Sequence, residues 1–215
     1  MIPEEMLKMM AVRRGAKSRR ARTPAPAGQK FLMTNAAELL AAIREVLANL
    51  DRKKRETHHR HVSVGDLLTD RWQIARDYGF GEGTSCYDNV LILGDVVAGR
   101  NCWIGPNVIL DGLGGLSIGD NVDISAGVQI YSHDTVKRAR SGGKEPVEYA
   151  PTRIGSRVYI GPQSVIQRGV TIGDDVTIGA MSFVNRDVPG GTSVWGIPAR
   201  PSSSHASRSP RVKAP

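Results

Sequence analysis

A six-residue recurrence of aliphatic side chains constrains the fold of this chain more than any other feature. Stepping by six from Ile154 meets an aliphatic residue each time as far as Val184, and shorter series begin at Ile118 and Ile92. The positions are Ile92, Ala98, Ile104, Leu110, Ile118, Ile124, Ile130, Ile154, Ile160, Ile166, Ile172, Ile178 and Val184. The residue that follows is usually small or acidic, so an apolar position alternates regularly with a position suited to a turn.

A period of six excludes one continuous helix and one continuous strand. A helix would rotate such residues around its surface, and a single strand does not run for thirty residues. A chain that turns a corner every six residues instead places all these side chains inside a three-sided coil. Coils of this kind stack at the ~4.8 Å spacing of paired strands, with Gly, Asn and Asp at the sharp corners. The sequence therefore predicts an all-β core, namely a parallel β-helix.

Two interruptions break the period. The segment "GLGG" (112–115) lengthens one step from six to eight residues and predicts a small bulge. The segment 132–152 breaks the repeat for much longer and predicts a loop that protrudes from a corner. Loops of that length inside a compact fold are usually functional. His133 lies at the start of this loop and is the only histidine inside the repetitive region.

The basic residues are concentrated at the two ends of the chain. The net charge is +8, of which residues 1–30 carry +6 and residues 201–215 carry +3, so that 31–200 sum to −1. We expect a disordered basic arm over 1–30 and a disordered tail over 201–215. A nearly neutral body argues against nucleic acid as a partner. The tails leave open a loose association with an acidic membrane surface.

Other compositional signals point to a cytoplasmic protein. The chain has two cysteines without a CxxC motif, which favours a reducing compartment. No apolar run approaches the ~20 residues of a membrane span, and no secretory signal follows the N-terminal arginines.

Residues 31–81 predict a helical extension ahead of the β-helix, which we assign to 82–200. Asn35 and Glu38 form a capping pair for a helix over about 35–54, and an apolar pattern suggests a second helix over about 64–77. The intervening His58, His59 and His61 have no cysteine or carboxylate cluster beside them. We therefore expect no metal site there.

The repeat resembles that of the hexapeptide-repeat family of acetyltransferases, over about residues 82–200. The family has a left-handed parallel β-helix fold, and its members are typically homotrimers. Within it, the chain is most similar to the maltose, galactoside and surface-polysaccharide O-acetyltransferases. The resemblance implies acetyl-CoA as co-substrate, a sugar or glycan hydroxyl as acceptor, and no metal. It also implies that His133 in "YSHDT" is the general base, because a neutral imidazole can take the hydroxyl proton during attack on a thioester.

Further site residues follow from the same resemblance. Asn107 and Asp111 match positions on the acceptor side. The positions expected near the coenzyme are Tyr159, Gly161, Gly179, Ala180, Asn185, Arg186 and Arg200. Pro162 departs from the family, whose members often have serine there. Asp134 is not assigned to orient His133, since adjacent residues of an extended chain point in opposite directions.

Three alternatives to a sugar O-acetyltransferase of surface-polysaccharide or lipopolysaccharide synthesis stay open. An N-acetyltransferase of a nucleotide-linked amino sugar would use the same base. A γ-type carbonic anhydrase shares the fold but needs three histidine ligands, and the repeat has one. A β-helix scaffold without activity would have no use for His133 at the loop root or for Arg200.

Overall fold

A computed structural model describes residues 35–202 of the chain. The predicted basic arm (1–30) and most of the predicted tail (203–215) lie outside the described residues. Contacts divide the chain into the units 1–42 and 43–215. The first unit contributes only the start of a helix to the described part, and all of the β-structure belongs to the second.

The helical extension is confirmed, with one difference. The helices are α1 (Ala36–His58), α2 (Val64–Leu68), α3 (Arg71–Asp77) and, far along the chain, α4 (Val136–Arg140). The helix predicted over 35–54 is present and runs one turn further. The helix predicted over 64–77 is two helices, because Asp70 leaves the helical conformation and its side chain accepts a hydrogen bond from the Gln73 amide at 2.8 Å. Such a cap starts a new helix.

The remaining elements are short strands, most of them two or three residues long. They are β1 (Ser85–Cys86), β2 (Leu91–Ala98), β3 (Trp103–Ile104), β4 (Ile109–Ile118), β5 (Asp123–Ile124), β6 (Gln129–Ile130), β7 (His133–Asp134), β8 (Glu148–Tyr149), β9 (Thr152–Ile154), β10 (Tyr159–Ile160), β11 (Val165–Ile166), β12 (Thr171–Ile172), β13 (Thr177–Ile178), β14 (Phe183–Val184), β15 (Ser193–Trp195) and β16 (Arg200–Pro201). β16 passes the predicted domain boundary at 200 and pairs antiparallel with β15.

The strands stack into three faces, as the repeat predicted. The first face is parallel in the order β1-β3-β5-β10-β13-β15, one strand for each turn of the coil. The second face joins the start of β2 to the start of β4, then β6, β11 and β14. The third face joins the ends of β2 and β4 to β9 and β12. The predicted parallel β-helix is thus confirmed.

The repeated aliphatic residues form the core. Every position of the six-residue series is buried except Ile92, which is partly buried. Stacking is in register: Ile160 pairs with Ile124 on one side and with Ile178 on the other. Each fully buried side chain of this size stabilises the fold by about 1.5–3 kcal/mol relative to an exposed one.

The corners are turned by residues in the left-handed conformation, which form columns along the coil. Three are asparagines with φ of 55–57°, the residue type that best tolerates this region after glycine. The non-glycine residues of these two columns are Asn101, Asn121, Arg157 and Asp175 before the first face, and Asn107, Gln163 and Met181 before the second.

Both interruptions of the repeat lie next to each other in the structure. At "GLGG" the register between β2 and β4 shifts, and residues 113–115 of β4 have no partner in β2. A Cβ on Gly114 would lie 2.2 Å from the carbonyl oxygen of Ser132, so only glycine permits this approach to the start of the long loop.

The long loop is an ordered excursion rather than an irregular segment. Its two ends, β7 and β8, pair antiparallel, and α4 lies between them. The excursion closes where it leaves the coil: the Ala150 amide donates to the Ser132 carbonyl at 2.8 Å, and the Thr152 hydroxyl donates to the Tyr131 carbonyl at 2.6 Å. The chain therefore leaves the coil and rejoins it at nearly the same point.

Candidate functional site

His133 lies at the root of the excursion, where the stacking register brings it beside Asp111. Leu110 of β4 pairs with Ile130 of β6, so Asp111, the next residue of β4, is a neighbour of the residues that follow β6. The Oδ2 of Asp111 is 2.5 Å from Nδ1 of His133 and also accepts hydrogen bonds from the amides of Ser132 (2.8 Å) and His133 (3.1 Å). Its Oδ1 accepts from the Leu113 amide at 3.0 Å.

This environment keeps Asp111 ionised and sets the tautomer of His133. Burial by itself would raise the pKa of Asp111, but the amides of Ser132 and Leu113 and the His133 ring together hold that pKa below its usual value. A carboxylate can only accept at Nδ1, so Nδ1 carries the hydrogen and Nε2 has a free lone pair. The side chain of His133 is 23% exposed, and it can therefore receive a proton from a bound molecule.

Contact of Asp111 with the acceptor stays a prediction, but the structure gives this residue another role. Its side chain is completely buried, and both of its oxygens are engaged by the excursion root. The structure makes it the residue that orients His133. The pairing of Asp111 with His133 could have been predicted from the register of the turns, which places Asp111 opposite the start of the excursion. The bulge at 112–115 makes this register difficult to recognise in the sequence.

Asp134 does not orient His133, as the sequence indicated. Its carboxylate pairs with Nε of Arg168 and accepts from the Val136 amide at 3.0 Å. The hydrogen bond from Arg168 lowers the pKa of Asp134. Arg168 also reaches Glu148 at 3.3 Å, so one guanidinium connects both strands of the excursion to the coil. Sequence reasoning missed this residue.

A cavity of about 390 Å³ opens beside the imidazole. One wall is the excursion and the other is the second face of the β-helix. Its lining residues are Tyr131, His133, Asp134, Thr135, Val136, Val165, Gln167, Arg168 and Phe183. The cavity thus offers a proton acceptor, an apolar wall and polar groups, which is the usual composition of a site for a small molecule. Of the predicted site residues, it contains only His133.

Asn107 has a structural role that explains its identity. It lies at a corner with φ of 57°, its amide hydrogen-bonds Asn89 Oδ1 at 3.2 Å, and its Oδ1 accepts from Asn89 Nδ2 at 3.0 Å. The two asparagines form a ladder between successive turns. A contact between Asn107 and an acceptor stays a prediction.

Four of the residues predicted near the coenzyme belong to the first face and the corner that follows it. Tyr159 of β10 is 44% exposed on that face. A Cβ on Gly161 would lie 2.5 Å from the backbone nitrogen of Ala180, and one on Gly179 would lie 2.8 Å from Cβ of Trp195. Close stacking of turns therefore already requires small residues there.

The other three predicted coenzyme residues come together at the C-terminal end. Asn185, Arg186 and Arg200 line a cavity of about 150 Å³ between the last turns and β16. This cavity shares no lining residue with the one beside His133. Its lining has two arginines and one carboxylate, that of Asp187, and the excess of positive charge suits an anionic group.

Two negative findings concern residues 35–202 alone. No helix in this range is long and apolar enough to cross a membrane. No group of three or more His, Cys, Asp or Glu side chains in it is arranged to hold a metal ion.

Comparisons with known proteins agree with this fold. The model for the bacterial transferase hexapeptide (six repeats) matches residues 151–186, and that for the hexapeptide repeat of succinyl-transferase matches residues 96–132. Galactoside O-acetyltransferase of Escherichia coli K12 is 36% identical over 104 residues, which are 47% of this chain and 50% of that protein. Nodulation protein L of Rhizobium meliloti is 40% identical over 126 residues, which are 58% of this chain and 60% of that protein.

A solved structure is also similar. It is a variant of AntD, an N-acyltransferase from Bacillus cereus, in complex with dTDP and coenzyme A, with 27% identity and a TM-score of 0.52. The alignment covers 57% of this chain and 70% of that one. The chain spans only about half the length of the galactoside O-acetyltransferase that it matches.

Proposed function

Because the chain belongs to the hexapeptide-repeat family of bacterial transferases, we propose that it is an acetyl-CoA-dependent O-acetyltransferase acting on a sugar hydroxyl. The observation that carries the proposal is the imidazole of His133, whose Nδ1 is held by a buried carboxylate while the ring borders a cavity. The similarity to a galactoside O-acetyltransferase supports a sugar as acceptor. Synthesis of surface polysaccharide or lipopolysaccharide in the cytoplasm is the setting we propose.

In the proposed reaction, Nε2 of His133 accepts the proton of the acceptor hydroxyl. The hydroxyl oxygen forms a bond to the thioester carbonyl carbon of acetyl-CoA, the C–S bond breaks, and the proton passes to the leaving sulfur. The buried Asp111 carboxylate stabilises the imidazolium formed in between and keeps the ring in the required tautomer. A general base of this kind accelerates a reaction by about 10²–10⁴-fold.

The residues predicted to hold the coenzyme are part of this proposal. Tyr159, Gly161, Gly179 and Ala180 lie along the first face and its corner, whereas the wall of the His133 cavity belongs to the second face. We infer that a second copy, in a homotrimer, brings its first face to the His133 cavity. Arg186 and Arg200 would then pair with phosphates of the coenzyme. Light scattering of the purified protein tests the trimer.

An N-acyltransferase is the second candidate. The solved structure with 27% identity is an N-acyltransferase bound to dTDP and coenzyme A, and an amine acceptor would need the same base. The two activities are separated by the acceptor that supports thiol release from acetyl-CoA. Release with hydroxyl sugars supports the first candidate, and release with nucleotide-linked amino sugars alone supports the second.

The His133→Ala variant tests the chemistry in either case. We expect kcat to fall by about 10²–10⁴-fold with the folded content unchanged in circular dichroism. His61→Ala is the matched control, because His61 also has its Nδ1 beside a carboxylate, that of Asp51 at 2.7 Å, but lies outside the cavity. Activity of His133→Ala within threefold of the parent would contradict the assignment.

A further inference from the structure

A third cavity, of about 270 Å³, lies between residues 54–72 and Tyr87, which follows the first strand of the β-helix. It is formed by the end of α1, the segment that follows it, the start of α3 and residues after β1. The charged and aromatic side chains of its lining include Lys54, Arg60, Asp66, Arg71, Trp72 and Tyr87. None of its lining residues lines the His133 cavity or the C-terminal cavity, and the proposed reaction does not use it.

Arg71 is the centre of this cavity. Its guanidinium lies over three aromatic rings, with the carbon Cζ 4.6 Å from the ring centroid of Tyr87, 5.2 Å from that of Trp72 and 5.5 Å from that of Trp103. Such stacking holds the planar group in one orientation. Its Nη1 is buried and has no hydrogen-bond acceptor among the described residues. A buried donor without an acceptor is uncommon and calls for an explanation.

The cavity has more positive than negative charge available to a ligand. Lys54 and Arg60 add two cations to that of Arg71, and no ion pair joins any of the three to a carboxylate within residues 35–202. Of the two lining carboxylates, that of Asp70 is engaged as the cap of α3.

The other carboxylate, Asp66, is buried, and burial raises its pKa. Its carboxyl group offers oxygen to a hydroxyl donor. An oriented guanidinium with two further cations suits a phosphate group, and a carboxyl oxygen with an exposed indole suits a hydroxyl-bearing ring. The cations of the lining thus suit a phosphate group, and Asp66 with the indole suits a ring with hydroxyl groups, so that one molecule with both parts would fit the cavity.

We propose that this cavity binds a phosphate ester of a sugar or nucleoside, with the phosphate held by Arg71, Lys54 and Arg60. The ring of the ligand lies against Trp72, and one of its hydroxyls donates to Asp66. A volume of about 270 Å³ is slightly below the roughly 300 Å³ at which ligand sites begin, and it suits a small phosphate ester rather than a whole coenzyme.

Isothermal titration calorimetry on the full chain, without acetyl-CoA, tests the site. The probes are glucose 1-phosphate and uridine 5′-diphosphate, with inorganic phosphate and the neutral glucose and uridine as comparisons. We expect at least one ester to bind at least about tenfold more tightly than its neutral parent. Tighter binding of either ester supports the proposal, and the ester that binds more tightly shows whether the ring of the ligand is a sugar or a nucleoside. Equal affinity of both esters and their neutral parents, or no binding of any ester at millimolar concentration, would overturn it.

Two variants locate the binding. Lys54→Gln and Arg71→Gln should each weaken the preferred ester by about tenfold or more, since each removes a charge-assisted hydrogen bond. Lys53→Gln is the matched control, because this neighbouring lysine of α1 does not line the cavity, and its effect should stay within twofold. An equal effect of Lys53→Gln and Lys54→Gln would show attraction by bulk charge only and contradict the site.

The remaining controls separate this proposal from the proposed reaction. Arg200→Gln should leave ester binding unchanged, because it alters only the C-terminal cavity. His133→Ala should also leave it unchanged. Loss of binding in Arg200→Gln with none in Lys54→Gln would place the ester in the C-terminal cavity and overturn the inference. Should Arg71→Gln fail to fold, Lys54→Gln and Lys53→Gln decide the outcome.

Discussion

The β-helix and helix α1 carry the same two sequence features but use them differently. Each has a regular apolar stripe, which in α1 consists of Leu39, Leu40, Ile43, Val46, Leu47 and Leu50. Yet Ile160 in the β-helix is completely buried whereas Ile43 in α1 is 46% exposed. Each also contributes an aspartate to a His–Asp pair, yet His133, the partner of Asp111, is 23% exposed whereas His61, which follows α1 and pairs with its Asp51, is 79% exposed. The period of the apolar residues therefore specifies the type of secondary structure. Whether those residues, and a His–Asp pair, become buried depends on whether other parts of the fold pack over them.

The largest effect should come from truncating the stripe in each region. Ile160→Ala should lower the free energy of unfolding by about 2–5 kcal/mol, because it leaves a cavity in a stacked ladder. Ile43→Ala should change it by less than about 0.5 kcal/mol, as expected for an exposed position. Urea denaturation followed by circular dichroism measures both. Similar losses in the two variants would mean that the α1 stripe is covered in solution.

The next largest effect is a loss of activity, which we expect when the aspartate of the His133 pair is replaced but not when that of the His61 pair is replaced. Asp111→Asn should lower kcat by at least about tenfold, since His133 loses the carboxylate that fixes its tautomer, while KM for both substrates stays within about twofold. Asp51→Asn, the matched control, should leave kcat within twofold, because its partner is on the surface. Steady-state kinetics at a temperature where both variants are folded gives the answer. Unchanged kcat in Asp111→Asn would remove Asp111 from the mechanism.

The buried pair should also be visible in the pH dependence of stability. The pKa of Asp111 is lowered in the folded chain, so its contribution is complete above the unfolded value of about 3.9 and is lost as pH falls through the lower, folded value. The midpoint of thermal unfolding should therefore fall less steeply below about pH 4 in Asp111→Asn than in the parent. Parallel curves would show that Asp111 does not contribute in this way.

The smallest expected effect is the change in stability when glycine replaces one residue in the β-helix and one in α1. Met181 is an exposed corner residue with φ of 57°, where a side chain costs about 1–2 kcal/mol and glycine costs about 0.5–1 kcal/mol in chain entropy. Met181→Gly should therefore stabilise the fold by up to about 1.5 kcal/mol. Ala48→Gly in α1 should have the opposite sign and a similar size. Thermal unfolding compares them, and destabilisation by Met181→Gly would mean that its side chain packs in the assembly.

Much of the fold was predictable because its signal is local and repeated. The corners recur every six residues, and each repeat independently indicates which side chain points inward, so Ile124, Ile160 and Ile178 were assigned correctly without knowledge of their contacts. The break at 110–118 could be located for the same reason. The split between α2 and α3 was missed, because the cap at Asp70 is a single residue within an otherwise helical pattern.

The site was predictable only in part. His133 was singled out because it stands where the repeat stops, and its role as the base stays a proposal. The pairing of Asp111 with His133 and the contacts of Arg168 were not predicted. Asp111 lies about a full turn of the coil before the excursion, and Arg168 lies well after it. Asn185, Arg186 and Arg200 line one cavity only because β16 turns back and pairs antiparallel with β15.

The sequence by itself determined that this chain winds into a three-sided β-helix, since each short repeat states its own inward residue and its own corner. Only the tertiary structure decided that Asp111 is buried beneath His133, that Arg168 connects the excursion to the coil, and that Ile43 of α1 is left exposed. The physical reason is that period and propensity act over a few residues. Burial, ionisation and hydrogen bonding depend instead on which turns of the coil become neighbours.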